Sequence, residues 1–117
     1  MGTRALTTVY DEDQTPLLSF YRQMDGYFEG HGEELKQFLF GFKVVNGYNP
    51  HSDLSKCANG MSCLAAGILC NFKQGIGGIY IVKPSNYQEY NYRVRLINNK
   101  LSLVGTGHGK KMVFKLE

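Results

Sequence analysis

Hydrophobic residues along this chain follow two different periods. Residues 5–10 (ALTTVY) and 17–23 (LLSFYRQ) are rich in strand formers and flank the polar, proline-closed stretch DEDQTP, which predicts an N-terminal hairpin. From residue 33 the period lengthens. Leu35, Phe38, Leu39 and Phe42 fall at i, i+3, i+4 and i+7, the stripe of a buried helix, and Glu33 and Glu34 suit the positive end of its dipole. Gly41 weakens its end. A second helix is predicted from about Asn59 to Phe72, with Asn59 as N-cap and Met61, Leu64, Ala65, Ile68 and Phe72 as its apolar stripe. Cys63, Gly67 and Cys70 form an adjoining stripe of small residues.

After a glycine-rich stop at 73–78, IYIVK reads as a short strand ended by Pro84. Residues 89–97 alternate, with Tyr90, Tyr92, Val94 and Leu96 on one face and Asn91, Arg93 and Arg95 on the other. Asn98-Asn99 turns the chain into LSLVG, and Met112, Phe114 and Leu116 alternate in a last strand. This order predicts one α+β domain over residues 1–117: a hairpin, two helices, then a C-terminal antiparallel set of about four strands, with both helices on one face of a single sheet. Both helical stripes should be buried, so truncating Phe38 or Phe72 to alanine should cost about 3–5 kcal/mol.

With 43% apolar and 20% charged residues in 117, the composition is that of a globular domain. No apolar run approaches the ~18 residues of a membrane span. The start MGTRALTT has no apolar signal region, and Leu6 stands where N-myristoylation wants Ser or Thr, so a cytoplasmic setting without membrane contact is expected. Cys57, Cys63 and Cys70 match no zinc spacing, and His31, His51 and His108 are scattered; reduced thiols, no metal and no cofactor are expected. Charge is unevenly placed: residues 1–35 carry two arginines against seven carboxylates, and residues 83–117 seven basic residues against two acidic ones. Attraction between the two ends, in the fold or across a homodimer, competes with a basic face for phosphate. No nucleic-acid motif surrounds Arg93, Arg95, Lys110 and Lys111, so no specific nucleic-acid recognition is expected.

Three places bear chemistry. The segment Tyr21 to Tyr27 gathers a cation (Arg22), an amide (Gln23), a carboxylate (Asp25) and phenols at a strand end, where loops often present binding groups; equally, Arg22 and Asp25 could pair to pin the turn. Gly30-His31-Gly32 precedes a helix, where free backbone N–H groups favour an anion and His31 could donate to phosphate or exchange a proton; otherwise His31 is an exposed cap. Cys63 lies near the start of the second helix, which can activate a thiol, with His31 or His108 as base; as a packed small hydrophobe it needs neither. The glycines of Lys73-x-Gly75-x-Gly77-Gly78 follow a helix and precede a strand, the reverse of the dinucleotide fingerprint, and read as a helix stop.

The blocks MGTRALTTVYDED, YRQMDGYFEGHGEELKQFL and ANGMSCLAAGILCNFKQGIGGIYIVKP, in that order over roughly the first 84 residues, resemble a family of small bacteriophage, prophage and bacterial proteins. Its members typically begin MGTRSLT and carry a YRQ-x-DGY…GHG-x-EL segment. Ala5 replaces the usual serine, and Phe28-Glu29 stands where Pro-Ser is common; Arg22, Gln23, Asp25, Gly26, Tyr27, His31, Asn59, Gly60 and Cys63 keep their places. The resemblance implies a phage or bacterial cytoplasmic setting and no reaction.

The leading expectation is a non-catalytic, phage-encoded accessory protein. It would hold an anionic small molecule such as a nucleotide through Arg22, Gln23, Asp25, Tyr27 and His31, with the helix start at Asn59 and Gly60 closing the same pocket. Sequestration of a host signal, or inhibition of a host enzyme through contact with that host protein, suits the setting. The alternatives are a thiol hydrolase or transferase using Cys63 and His31, and a structural or protein-interaction module such as a virion component.

Overall fold

In the computed structural model, residues 2–48 and 55–117 are described. The hairpin forms where the sequence places it: β1 (Ala5–Tyr10) pairs antiparallel with β2 (Pro16–Arg22), Ala5 opposite Arg22 and Tyr10 opposite Pro16. A five-residue π-helical turn (Phe28–Gly32) then runs directly into α1 (Glu33–Leu39). Next come two three-residue strands, β3 (Lys43–Val45) and β4 (Cys57–Asn59), then α2 (Gly60–Phe72) and β5 (Ile79–Val82). The chain ends in the meander β6 (Tyr90–Ile97), β7 (Lys100–Gly107) and β8 (Lys110–Phe114).

The domain is α+β, as expected, but the strands are wired differently. The main sheet has the order β5-β2-β1-β6-β7-β8, and β1 and β6 run parallel. Only β6, β7 and β8 form the expected C-terminal antiparallel set; β5 instead pairs antiparallel with β2 at the far edge. A second, two-stranded parallel sheet joins β3 to β4.

Since β5 and β6 flank the β1–β2 pair, residues 83–89 must cross the sheet to connect them. Thr7 faces the helical side through its bond to His31. Leu6, Thr8 and Ser19 therefore face the other way, yet all three are buried. Asn91, on that same face, fastens the crossover by donating to the Gln88 carbonyl and accepting from its N–H. The Thr8 and Ser19 hydroxyls bond each other at 2.8 Å. Among the described residues no buried side-chain nitrogen or oxygen lacks a partner.

The helical side holds the core. Leu35 and Leu39 of α1, and Met61, Leu64, Ala65 and Ile68 of α2, pack with Val9, Phe20, Tyr92, Val94 and Leu103 of the sheet. α1 is shorter than its stripe suggested: Phe40 is already extended and Gly41 turns at φ +77°, its N–H donating to the Leu116 carbonyl. Phe38, Phe42 and Phe72 are accordingly only half-buried, the Phe38 ring tilted against Phe42 and edge-on to Phe72. Phe38→Ala and Phe72→Ala should each lower the unfolding free energy by about 2–3 kcal/mol, below the full cost of an enclosed phenylalanine. Urea denaturation measures this; a loss under about 1 kcal/mol would mean that α1 and α2 do not lean on these rings.

Candidate functional site

The strand end at Arg22 is built by a chain of backbone substitutions for side-chain caps. Gly26 sits so close over the start of β1 that a Cβ would lie 2.8 Å from both the Ala5 Cβ and the Thr3 carbonyl. Its N–H donates to that carbonyl at 2.9 Å, and its own carbonyl accepts the buried Tyr92 hydroxyl at 2.6 Å. Asp25 precedes it at φ +59°, a conformation that Asp tolerates better than most residues. This pins the turn, and the π-helical turn follows with Phe28 and His31 both directed into the core.

His31 is fully buried, enclosed edge-on by Phe20, Phe72 and Tyr92. Its Nδ1 lies 3.0 Å from Arg22 Nη1, and its Nε2 lies 2.8 Å from Thr7 Oγ1. A guanidinium only donates, so Nδ1 carries the lone pair and the ring proton resides on Nε2, donating to Thr7. Burial, with the Arg22 charge second, pushes the His31 pKa down to about 3. At neutral pH the ring is neutral.

Arg22 is held on three sides. Its Nε donates to the Met24 carbonyl at 2.7 Å, Nη1 to His31, and Nη1 and Nη2 to the two Glu34 oxygens at 3.2 and 3.1 Å. This fork is bidentate, and the Arg22 side chain is only 17% exposed.

In front of this clamp lies a groove of about 800 Å³ between the strand end, α1, the end of α2 and β5. Glu29, Glu33 and Glu34 line it against the single cation Arg22. Gln23, Gln37, Asn71 and Gln74 add amides, and Phe38, Phe72 and Tyr80 add aromatic surface. Glu33 accepts from Gln37 at 3.1 Å; neither Glu29 nor Glu33 has an ion pair among the described residues.

Several sequence expectations need correcting. Arg22 and His31 do meet, but Arg22 pairs with Glu34 and not Asp25, which is exposed and accepts from Tyr27 at 3.4 Å. His31 is a core residue and not an exposed cap. The N–H groups of Gly30, His31 and Gly32 donate to the Tyr27 and Asp25 carbonyls, so they offer nothing to an anion.

The start of α2 does not join this groove. Asn59 makes no side-chain cap; its Oδ1 accepts from the Gly47 N–H at 2.7 Å. The Met61 N–H donates to Glu12 Oε2 at 2.9 Å, and Gly60 at φ +84° lets the chain turn beneath that carboxylate. Glu12 follows the Tyr10 end of β1, about 17 Å of strand away from the Ala5–Arg22 pair. α2 therefore points its C-terminal end, at Phe72, toward the groove, and Asn59, Gly60 and Cys63 lie at the opposite end of the domain.

Cys57, Cys63 and Cys70 are free thiols, and no group of three metal-ligating side chains occurs among the described residues. Among the described residues Cys63 has no histidine base: both His31 nitrogens are taken, and His108 pairs with Glu89 at 3.4 Å on the β7–β8 turn. His51 lies outside the described residues. No described helix is long and apolar enough to cross a membrane.

The groove residues that sequence reasoning missed are Glu29, Glu33, Glu34, Gln37, Asn71, Gln74 and Tyr80. Their one sequence signal was the cluster Glu29, Glu33 and Glu34, of which the helix dipole accounts for only the last two. Comparison with protein-family models, with curated proteins and with solved structures finds no match.

Proposed function

We propose that this chain is a small non-catalytic binding protein whose ligand occupies the groove before Arg22, in the phage or bacterial setting that its sequence resemblance implies. The observation that carries the reading is the commitment of Arg22. With its guanidinium forked onto Glu34 and backed by His31, the groove presents carboxylates from Glu29 and Glu33 that have no ion pair among the described residues, amides, and the aromatic surface of Phe38 and Phe72, while Lys73 Nζ stands over the Tyr80 ring at 6.0 Å. The C-terminal end of α2 adds negative dipole and not the positive one that an anion would need. The anion favoured by the sequence loses both attractors, and an organic cation with a flat or apolar body becomes the better fit. Among the described residues no general base is free beside a nucleophile, so retention of a ligand suits the groove better than its turnover.

Thermal melting with two sets of probes tests this: aryl-alkyl amines and guanidines, and purine and pyrimidine nucleotides. A ligand at a hundred times its Kd adds about 2.7 kcal/mol, which raises the melting temperature by roughly 10 °C in a domain of this size. Stabilisation by cationic probes and its loss in Glu33→Lys is expected. Stabilisation by nucleotides, abolished in Arg22→Ala, would restore the anion site instead.

A further inference from the structure

The two faces of the main sheet differ in what covers them. The helices and the core take one face. On the other, the 83–89 crossover covers β1 and β2, where Leu6, Thr8 and Ser19 are buried, and leaves β6, β7 and β8 open: Val113 there is 67% exposed. The register sets what stands on this open strip. Arg93 lies opposite Val104, and Val104 opposite Val113; Thr106 and Lys111 form the row on one side, Arg95 and Ser102 the row on the other. Lys115, one residue past β8, continues the alternation beside Ser102. Arg93, Arg95, Lys111 and Lys115 thus share a strip about 10 Å wide, two strand spacings, and no Asp or Glu stands among them. The side chains of Arg93, Lys111 and Lys115 make no hydrogen bond or ion pair among the described residues. Arg95 holds its guanidinium carbon 3.7 Å from the Tyr10 ring centre and donates to Gln14, neither of which neutralises its charge. The carboxylates at the margins, Glu117 and Glu89, are paired with Lys100 and His108.

We propose that this strip binds single-stranded nucleic acid through its phosphates, without reading the bases. Charge complementarity selects a polyanion. Cations gathered on one face with no carboxylate between them repel one another in the free protein, and a run of phosphates answers all of them while releasing its own counterions. Shape selects a single strand. The crossover stands as a ridge over β1 beside Arg93, the register partner of the buried Thr8, so one flank of the strip is walled. A duplex would ride on that ridge, whereas a single strand fits beside it. Tyr87, 64% exposed on the ridge, and the flat Arg93 guanidinium give bases a surface to stack on. Val104 and Val113, in the row between the cations, offer no hydrogen-bonding group to a base edge, so the contacts carry no sequence preference. Glu29, Glu33 and Glu34 line the groove on the opposite, helical face and steer an approaching polyanion to this one.

Fluorescence anisotropy of a labelled thymidine oligonucleotide of about 20 residues, titrated with the full chain from about 20 to 200 mM NaCl, tests this, with circular dichroism to verify folding of each variant. Micromolar binding at the lowest salt is expected, with log K falling against log salt at a slope of about −2 to −3, as three or four phosphate contacts give. Arg93→Glu and Lys111→Glu should each weaken binding by about tenfold or more, and Arg93→Gln should make the slope shallower by about 0.7. Lys36→Glu, on α1 at the helical face, changes the net charge equally and should leave the affinity within about twofold. No binding at the lowest salt, a loss in Lys36→Glu equal to that in Arg93→Glu, or tighter binding of a duplex of the same length or of phosphatidylserine vesicles than of the oligonucleotide would overturn the proposal.

Discussion

Lowering the pH should destabilise this protein from about pH 6.5 downward, well before most carboxylates titrate, and His31 should account for it. In the unfolded chain His31 takes up a proton near its ordinary value of 6.5, whereas the folded ring resists until about 3. The unfolded state thus binds the extra proton between these limits. The stability contributed by the neutral ring is complete above pH 6.5 and is lost as pH falls toward the folded value, at up to about 1.4 kcal/mol per pH unit. Urea midpoints from pH 7.5 to pH 4 measure the slope. His31→Gln, which cannot titrate, should flatten it. His31→Ala should cost about 3–5 kcal/mol at pH 7, since it empties a ring-sized space among Phe20, Phe72 and Tyr92 and strands the Thr7 hydroxyl and one Arg22 donor. A wild-type slope retained in His31→Gln would place the acid sensitivity elsewhere.

Tyr92→Ala should be comparably severe, about 3–5 kcal/mol, because Tyr92 ties the sheet to the turn that shapes the groove. Its ring packs edge-on with Phe28 and His31 and tilted against Phe114, and its hydroxyl donates to the Gly26 carbonyl at 2.6 Å. Burial pushes the phenol pKa upward, which keeps it a donor. Gly105 lies opposite it in the register and leaves room for the ring: a Cβ there would sit 2.8 Å from Tyr92 Cε1. Tyr92→Phe keeps the ring and loses only the bond, so about 1–2 kcal/mol is expected. His31 and Tyr92 touch, so the double alanine variant should cost less than the sum of the singles. Equal losses for Tyr92→Phe and Tyr92→Ala in urea denaturation would show that the hydroxyl, and not the packing, holds the turn.

The parts of the fold legible in the sequence were those written in local periodicity: the hairpin, α2, and the alternation of β6. What periodicity cannot carry is partnership. IYIV reads as a strand wherever it lies, and nothing within it says that it pairs with β2 rather than with β6. β3 and β4 were too short to register as alternation. Gly30-His31-Gly32 looked like a turn because of its glycines, but the glycines serve close packing: a Cβ at Gly32 would lie 2.8 Å from the Phe114 ring, and one at Gly30 would strike the Asp25 carbonyl. At the site, the proximity of Arg22 and His31 was legible because both belong to one doubling-back segment. Glu34 as the partner of Arg22 was not, since Asp25 is nearer in sequence and only the helical rise of α1 brings Glu34 across.

The charge of the groove, and with it the class of ligand, rests on Arg22 being immobilised against a neutral His31. Long-range nitrogen–proton NMR of the histidine rings, recorded from pH 8 to pH 4 together with the Arg22 side-chain signals, tests this most directly. The expected result is a His31 proton fixed on Nε2 with no titration over that range and an Arg22 Nε–H protected from exchange. A His31 that titrates near 6.5, beside an Arg22 whose guanidinium exchanges freely with water, would contradict it and return Arg22 to service as an anion-binding residue.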